Sequence, residues 1–337
     1  ELYGAVPEQA DYCNLDTDKV CGVFSENMSL VQYRALAEKI EEAVRAGYDG
    51  LVIGHGTDTM HHTAAVLSFM LEDLPVPVVM VGSQRSSDRP SSDAARNLIA
   101  AVRTAAEADL AEVVVCMYGP TSDLYHLLHR GTRVRKMHSS VRSTFRTLSD
   151  RPLGMLDQGQ FTWLKADKRD RRPGVQEMRI DTRFDERVAL VYYYPNMHPD
   201  HIDALVEKGY RGIAIAGTGL GHVNRPLFPA LKRARDAGVT VTMTVQTLWG
   251  YCGMYVYDTG RDLMDLGVIP LGNMLPEVAY VKLGCALGRF PGDRDAQVSY
   301  LQAPVAGEIT DREPHDGYLV FQGGTPEMEG FARRWMK

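Results

Sequence analysis

Cysteine is scarce in this chain of 337 residues. There are five, Cys13, Cys21, Cys116, Cys252 and Cys285, odd in number and scattered. None forms a C-x-x-C pair, which leaves neither a disulfide framework nor a zinc ribbon supported; reduced thiols in a cytosol fit best. No apolar run is long enough to span a membrane, and no signal peptide is present, so the expected place is the cytoplasm. Excess positive charge is missing as well. The formal net charge of -6 argues against a direct, salt-driven grip on nucleic acid, though not against contact through a more basic partner. An initial methionine is also lacking: the first residue is Glu1, and the expectation is that the chain lacks its start.

What is there is a globular composition. Hydrophobic residues make up 45% and charged residues 24%, ample to bury a sizeable core. The length suggests about two domains. Ser29 to Ala46 reads as an amphipathic helix, with Leu30, Leu36, Ile40, Ala43 and Val44 at helical spacing and Gly47 as a stop. Leu51–Ile53, Val76–Val81 and Glu112–Met117 read as buried strands, and His61–Leu71 and Asp93–Ala108 as helices, the latter capped by Ser92. Strands alternating with helices predict parallel β-α-β units.

A second alternation follows. Val188–Tyr194, Gly212–Ala216 and Val239–Thr244 read as strands; His198–Lys208, Pro226–Ala237 and Pro276–Leu287 read as helices. Between the two lies a stretch with little periodicity and the charge run Lys165-Ala166-Asp167-Lys168-Arg169-Asp170-Arg171-Arg172. It reads as a solvated connection with a small hairpin. The organisation is therefore an α/β catalytic domain over 1–150, a linker or hairpin over 151–187 and a second α/β domain over 188–337. The halves echo each other: Gly47-Tyr48-Asp49-Gly50-Leu51-Val52-Ile53-Gly54 parallels Gly209-Tyr210-Arg211-Gly212-Ile213-Ala214-Ile215-Ala216.

Chemistry concentrates where the first strand ends. In open α/β sheets ligands bind outside the carboxyl ends of the strands. Gly54-His55-Gly56-Thr57-Asp58-Thr59-Met60 places glycines, two hydroxyls and a carboxylate there. Asp58 or Thr59 could simply cap the following helix. Three further segments share this polar composition: Ser25-Glu26-Asn27-Met28, Gly82 to Asp93, and Arg130 to Ser140. A threonine hydroxyl needs a base to become a nucleophile, and a lysine serves when its surroundings favour the amine. Thr57, Lys136 and Asp58 could be such a set, although Lys136 taken alone reads as an ordinary surface lysine. Other signals are weaker. His198 and His201 lack a third metal ligand, so no metal site is expected. Gly217-Thr218-Gly219-Leu220-Gly221 has neither a Walker lysine nor a dinucleotide fingerprint. Trp249, Tyr251 and Tyr255 read as core.

The run Gly54–Met60 resembles the second signature of the L-asparaginase family, and the likeness extends from Ser25 to Ala306-Gly307-Glu308-Ile309-Thr310-Asp311-Arg312. The segments Gln84–Asp93, Arg130–Ser140, Met274-Leu275-Pro276-Glu277 and Ala306–Arg312 resemble the branch of that family that serves as the D subunit of archaeal glutamyl-tRNA(Gln) amidotransferases. The resemblance implies a two-domain asparaginase-like α/β fold, with parallel sheets flanked by helices and the larger domain first. It implies a glutaminase whose ammonia is used by a partner, the amidotransferase E subunit. That partner would bind ATP and Mg and most of the Glu-tRNA(Gln); the chain itself would need no cofactor.

By residue match, Thr57, Asp58 and Lys136 take the catalytic positions. Ser25, Glu26 and Gly56 take substrate-binding positions, Glu26 standing where plain asparaginases usually carry glutamine. The resemblance also implies a homodimer, with Gly217–Asn224 reaching a neighbouring protomer's pocket. The family's other threonine belongs to a Thr-Gly-Gly-Thr-Ile type motif that does not occur here. The expectation is that residues before Glu1 carry it. The alternatives are a free-standing cytosolic asparaginase, and an inactive scaffold if that threonine is absent.

Overall fold

Ser29 and Gln32 open the first long helix: the Ser29 N–H donates to Gln32 Oε1 at 3.0 Å, as in a capping box. In the computed structural model, which describes residues 6–314, helix α1 (Leu30–Arg45) then buries Leu30, Leu36, Ala37, Ile40 and Val44. Two compact units divide the chain: the first runs to Asp181 and takes up the chain again at Pro314, and the second spans Thr182–Glu313.

The first unit continues with β1 (Leu51–Gly54), α2 (Met60–Met70), β2 (Leu71–Glu72), β3 (Val78–Val81), α3 (Ala94–Glu107) and β4 (Val113–Tyr118). There follow β5 (Tyr125–Arg130), β6 (Val134–Lys136), β7 (Phe145–Thr147), β8 (Gly154–Asp157), β9 (Gln160–Trp163) and β10 (Arg179–Ile180). The main sheet has the order β1-β3-β4-β5-β8-β9. Strands β1, β3 and β4 are parallel, with Val52 opposite Val79 and Val79 opposite Val114. Strands β3 and β4 are buried throughout, which is why they read as unbroken apolar runs. Each fully buried valine there contributes about 1.5–3 kcal/mol over an exposed one.

From β4 onward the sheet is antiparallel. Strand β5 reads poorly as a strand because His126, His129 and Arg130 interrupt its apolar residues. The fold buries all three with partners. His126 Nε2 meets Asn97 Oδ1 at 3.1 Å, and His129 Nδ1 meets Thr147 Oγ1 at 2.9 Å. Arg130 donates twice to the Glu112 carboxylate, at 2.7 and 3.1 Å.

The stretch expected as a linker or hairpin over 151–187 contains an antiparallel hairpin, β8–β9. Strands β8 and β9 extend the main sheet, and the charge run is fastened to the first unit. Lys165 Nζ lies 2.5 Å from Asp150. Lys168 Nζ donates to Asp109 O at 2.7 Å and lies 4.7 Å from the centre of the Trp163 ring. Arg171 donates to the carbonyls of Ala105 and Ala106, capping the end of α3. These charges lie against the protein because acceptors far away in the chain meet them.

The second unit holds β11 (Val188–Tyr192), α4 (Asp200–Glu207), β12 (Gly212–Gly217), α5 (Phe228–Asp236), β13 (Thr240–Val245), α6 (Asp258–Asp265), β14 (Ile269–Pro270), α7 (Pro276–Arg289) and α8 (Arg294–Gln302). Its four strands are parallel in the order β11-β12-β13-β14. The two halves do share a local device. Tyr48 N–H reaches Ala43 O at 3.2 Å and Gly47 N–H reaches Val44 O at 3.0 Å; Tyr210 and Gly209 repeat this on Leu205 and Val206 at 3.0 and 2.9 Å. Both are Schellman ends, with the glycine at positive φ. Helices α6 and α8 go beyond what the apolar spacing predicts. Tyr255, expected in the core, is 72% exposed.

Candidate active site

Four polar segments lie at the carboxyl edge of the parallel part of the main sheet, and the structure ties them together. The first is the short turn Ser25–Asn27 before α1. The second, residues 55–59, follows β1. The third, residues 82–93, follows β3. The fourth begins at the end of β6.

Segments one and two meet at Thr59 and Gly56. The Thr59 hydroxyl donates to Ser25 O at 2.6 Å. Thr59 is the residue before α2 but makes no side-chain cap, so the capping role considered for it is not the one it takes. Gly56 lies so close to Ser25 that an added Cβ would fall 2.8 Å from Ser25 Cβ and 2.9 Å from its hydroxyl. Only a residue without a side chain lets the two loops approach this way. Ser25 is buried, and Glu26 stands exposed on the same turn.

Segments two and four meet at Lys136. Strand β6 pairs antiparallel with β7, Lys136 opposite the fully buried Phe145. Val134 and Lys136, two apart, share one face of the strand. Lys136 Nζ donates to Thr57 Oγ1 at 3.0 Å and to Asp58 Oδ1 at 2.6 Å. The lysine side chain is only 10% exposed, while that of Asp58 is 70% exposed. A nearly buried lysine nitrogen thus links a threonine hydroxyl to an open carboxylate.

Segment three is organised by a residue that sequence reasoning passes over. By its position Asp93 is only the first residue of a helix. It is buried, and its carboxylate accepts from the N–H groups of Gln84 and Arg85, each at 3.0 Å, and from Asn97 Nδ2 at 2.8 Å. The Asp-x-x-x-Asn spacing is the available signal, since residues four apart face each other on a helix. Arg142, in the loop after β6, donates to Ser91 O at 2.7 Å and joins segments three and four. That loop closes on itself: the N–H groups of Ser140 and Val141 donate to His138 Nδ1 at 3.0 and 3.1 Å.

A buried histidine, His61, and a half-buried one, His62, line the first turn of α2. Burial foremost, then the charges of His62, Arg135 and Lys136, hold the His61 imidazole down to about 3. Burial and Arg135 hold His62 down to about 4. Both are neutral at physiological pH and add no charge beside Lys136.

In the second unit, Gly217–Asn224 forms a tight turn at the carboxyl end of β12. Thr218 N–H donates to His222 O at 3.0 Å, and Gly221 and His222 N–H return to Thr218 O at 3.0 and 2.9 Å. His198 and His201 have local partners: His198 Nδ1 lies 3.0 Å from Asp200, and His201 Nε2 lies 3.2 Å from the Tyr194 hydroxyl. Among the described residues no cluster of His, Cys, Asp and Glu has the form of a metal site. No described helix is long and apolar enough to cross a membrane.

Comparison with known proteins adds to this geometry. Residues 1–169 match the family described as Asparaginase, N-terminal, and residues 187–299 match the Glutaminase/Asparaginase C-terminal domain. The D subunit of glutamyl-tRNA(Gln) amidotransferase from Pyrococcus furiosus is 49% identical over 321 residues, 95% of this chain and 72% of that protein. The D subunit from Methanopyrus kandleri is 47% identical over 330 residues, 94% of this chain and 71% of its own length. Among solved structures, the thermostable L-asparaginase from Thermococcus kodakarensis superposes with a TM-score of 0.78 at 29% identity, covering 91% of each chain.

Proposed function

This chain belongs to the asparaginase family, and from that premise we propose that it is the glutaminase component of a tRNA-dependent glutamyl-tRNA(Gln) amidotransferase. The observation that carries the chemistry is Lys136 Nζ held between Thr57 Oγ1 and Asp58 Oδ1. The reading toward glutamine and tRNA rests on the identity of 49% to an amidotransferase D subunit, against 29% to a free-standing asparaginase.

The reaction is an acyl transfer. The oxygen of the family's other threonine, from the Thr-Gly-Gly-Thr-Ile type motif that this sequence does not contain, bonds to the side-chain amide carbon of glutamine, and the C–N bond breaks. The hydroxyl proton passes by way of Lys136 and Thr57 to the departing nitrogen, which leaves as ammonia. Water then cleaves the ester, giving glutamate and restoring the hydroxyl. Asp58 orients the Lys136 side chain and is open enough to meet the substrate ammonium. Ser25, Glu26 and Gly56 form the substrate side of the site. Backbone N–H groups near Gly56–Asp58 stabilise the oxyanion.

Ammonia is passed to the amidotransferase E subunit, which binds ATP and Mg and converts Glu-tRNA(Gln) to Gln-tRNA(Gln). The chain acts without a cofactor of its own, as a homodimer in the cytoplasm, and the tRNA is held mainly by the partner. The test is ammonia release from glutamine by the protein with its partner, Glu-tRNA(Gln) and ATP, compared with Lys136→Met. Loss of release in the variant, with far-UV circular dichroism unchanged, supports the assignment. Unchanged turnover sinks the role of Lys136, and release from asparagine with no partner shifts the reading to a plain asparaginase.

A further inference from the structure

His55 stands beside the Thr57–Asp58 turn, and the chemistry above does not use it. Its N–H donates to Val81 O at 2.8 Å, continuing the pairing of β1 with β3 by one residue. Its ring is held from two sides. Nδ1 lies 2.6 Å from Gly56 O, and Nε2 lies 2.9 Å from Thr63 Oγ1. A carbonyl oxygen only accepts, so Nδ1 carries the hydrogen. In the neutral ring Nε2 then accepts from the Thr63 hydroxyl. Burial keeps the ring neutral by lowering its pKa, with the Gly56 bond opposing. Thr63 is itself fully buried on α2, its N–H bonded to Thr59 O at 3.1 Å. A side chain on a rigid helix therefore sets a tautomer, and the tautomer holds a backbone carbonyl.

That carbonyl belongs to the peptide joining Gly56 to Thr57. A trans peptide is planar, so holding its C=O toward the His55 ring turns the Thr57 N–H away from it. Among the described residues, the Thr57 N–H donates to no protein acceptor. The same residue carries the hydroxyl that Lys136 meets at 3.0 Å. We propose that His55, its tautomer set by Thr63, is a positioning residue: it locks the Gly56–Thr57 peptide so that the Thr57 N–H faces the amide oxygen that gains negative charge. This role rests on the glutaminase reading given above.

The test uses the full chain with its partner and three variants, His55→Asn, His55→Gln and Thr63→Val. An asparagine amide nitrogen falls near the place of Nδ1 and can still donate to Gly56 O; a glutamine amide falls near Nε2 and cannot. His55→Gln is expected to lower kcat for ammonia release by about 10²-fold, the cost of an ångström-scale misplacement, with KM nearly unchanged. His55→Asn is expected to recover most of that loss, and Thr63→Val to fall between them. Nitrogen-15 NMR of the unsubstituted protein is expected to show the Nδ1–H tautomer. An Nε2–H tautomer, equal losses in both His55 variants, or a change in KM or Tm with kcat intact overturns the positioning role alone. No ammonia release by the unsubstituted protein overturns the glutaminase reading and, with it, this role.

Discussion

At the residue scale, Asp58 and Gly56 tie local geometry to function. The Asp58 side chain is 70% exposed, so removing its charge leaves the core untouched. Asp58→Asn is expected to cost about 1 kcal/mol or less, the scale of an ion pair with a solvent-exposed partner. The same change weakens the acceptor that holds Lys136, and kcat for ammonia release is expected to fall about 10²-fold. Steady-state kinetics beside a urea titration would check both; a fall in stability with activity intact would contradict the assignment. Gly56→Ala acts on the neighbouring loop, because the new methyl would press on Ser25. The expected outcome is a raised KM for glutamine together with a lowered Tm, since the buried Ser25 must shift to admit the methyl. Thr57, Asp58 and Ser25 were legible in the sequence because they sit in short glycine-bounded or polar motifs. Asp93 was not, because its importance lies in three donors that only the folded loop collects.

At the element scale, β5 and the charged strap after β9 decide the antiparallel side of the main sheet. The Arg130 and Glu112 side chains are 6% and 9% exposed. Burial disfavours the guanidinium charge, but the Glu112 carboxylate more than offsets this and pushes the Arg130 pKa up. Breaking such a pair leaves a buried charge without its partner. Glu112→Gln is expected to cost about 3–5 kcal/mol in urea unfolding. The double variant Arg130→Met with Glu112→Leu is expected to recover a large part, since an apolar pair leaves no buried charge. Equal losses for single and double variants would show that the fold does not depend on the pairing. The Glu112 carboxylate also accepts from the Arg169 N–H at 2.8 Å, so the strap should loosen first in hydrogen exchange.

At the scale of the molecule, buried neutral histidines make stability depend on pH. His61 and His129 are held down to about 3, His62 and His126 to about 4, each chiefly by burial. In the unfolded chain a histidine titrates near 6.5. Below that pH the unfolded state takes up protons that the folded state refuses, so folding stability falls as pH drops from about 6.5 toward 3–4. Each such histidine contributes up to about 1.4 kcal/mol per pH unit in that window. The urea midpoint is therefore expected to be lower at pH 5 than at pH 7, and an equal midpoint would contradict the burial of these rings. A glutaminase coupled to a distant synthetic site would waste free ammonia if always active. Release is expected to rise when the partner and Glu-tRNA(Gln) are added, and a constant rate would contradict that coupling.

The order of strands β1, β3, β4 and β11 to β13 and of helices α1 to α5 and α7 was legible in the sequence by itself. Buried parallel strands such as Val78–Val81 and Val113–Tyr118 are unbroken apolar runs, and α1 carries its apolar residues on one stripe. The Gly54–Met60 motif was legible for the same reason: the signal is local. The tertiary structure alone decided what polar residues do. It turned Tyr125–Arg130 into a buried strand and drew the run from Lys165 to Arg172 against the protein. It also brought Lys136 to Thr57, 79 positions away in the chain. A charge or an imidazole is buried only where a partner awaits it, and those partners come from distant parts of the chain that meet only on folding.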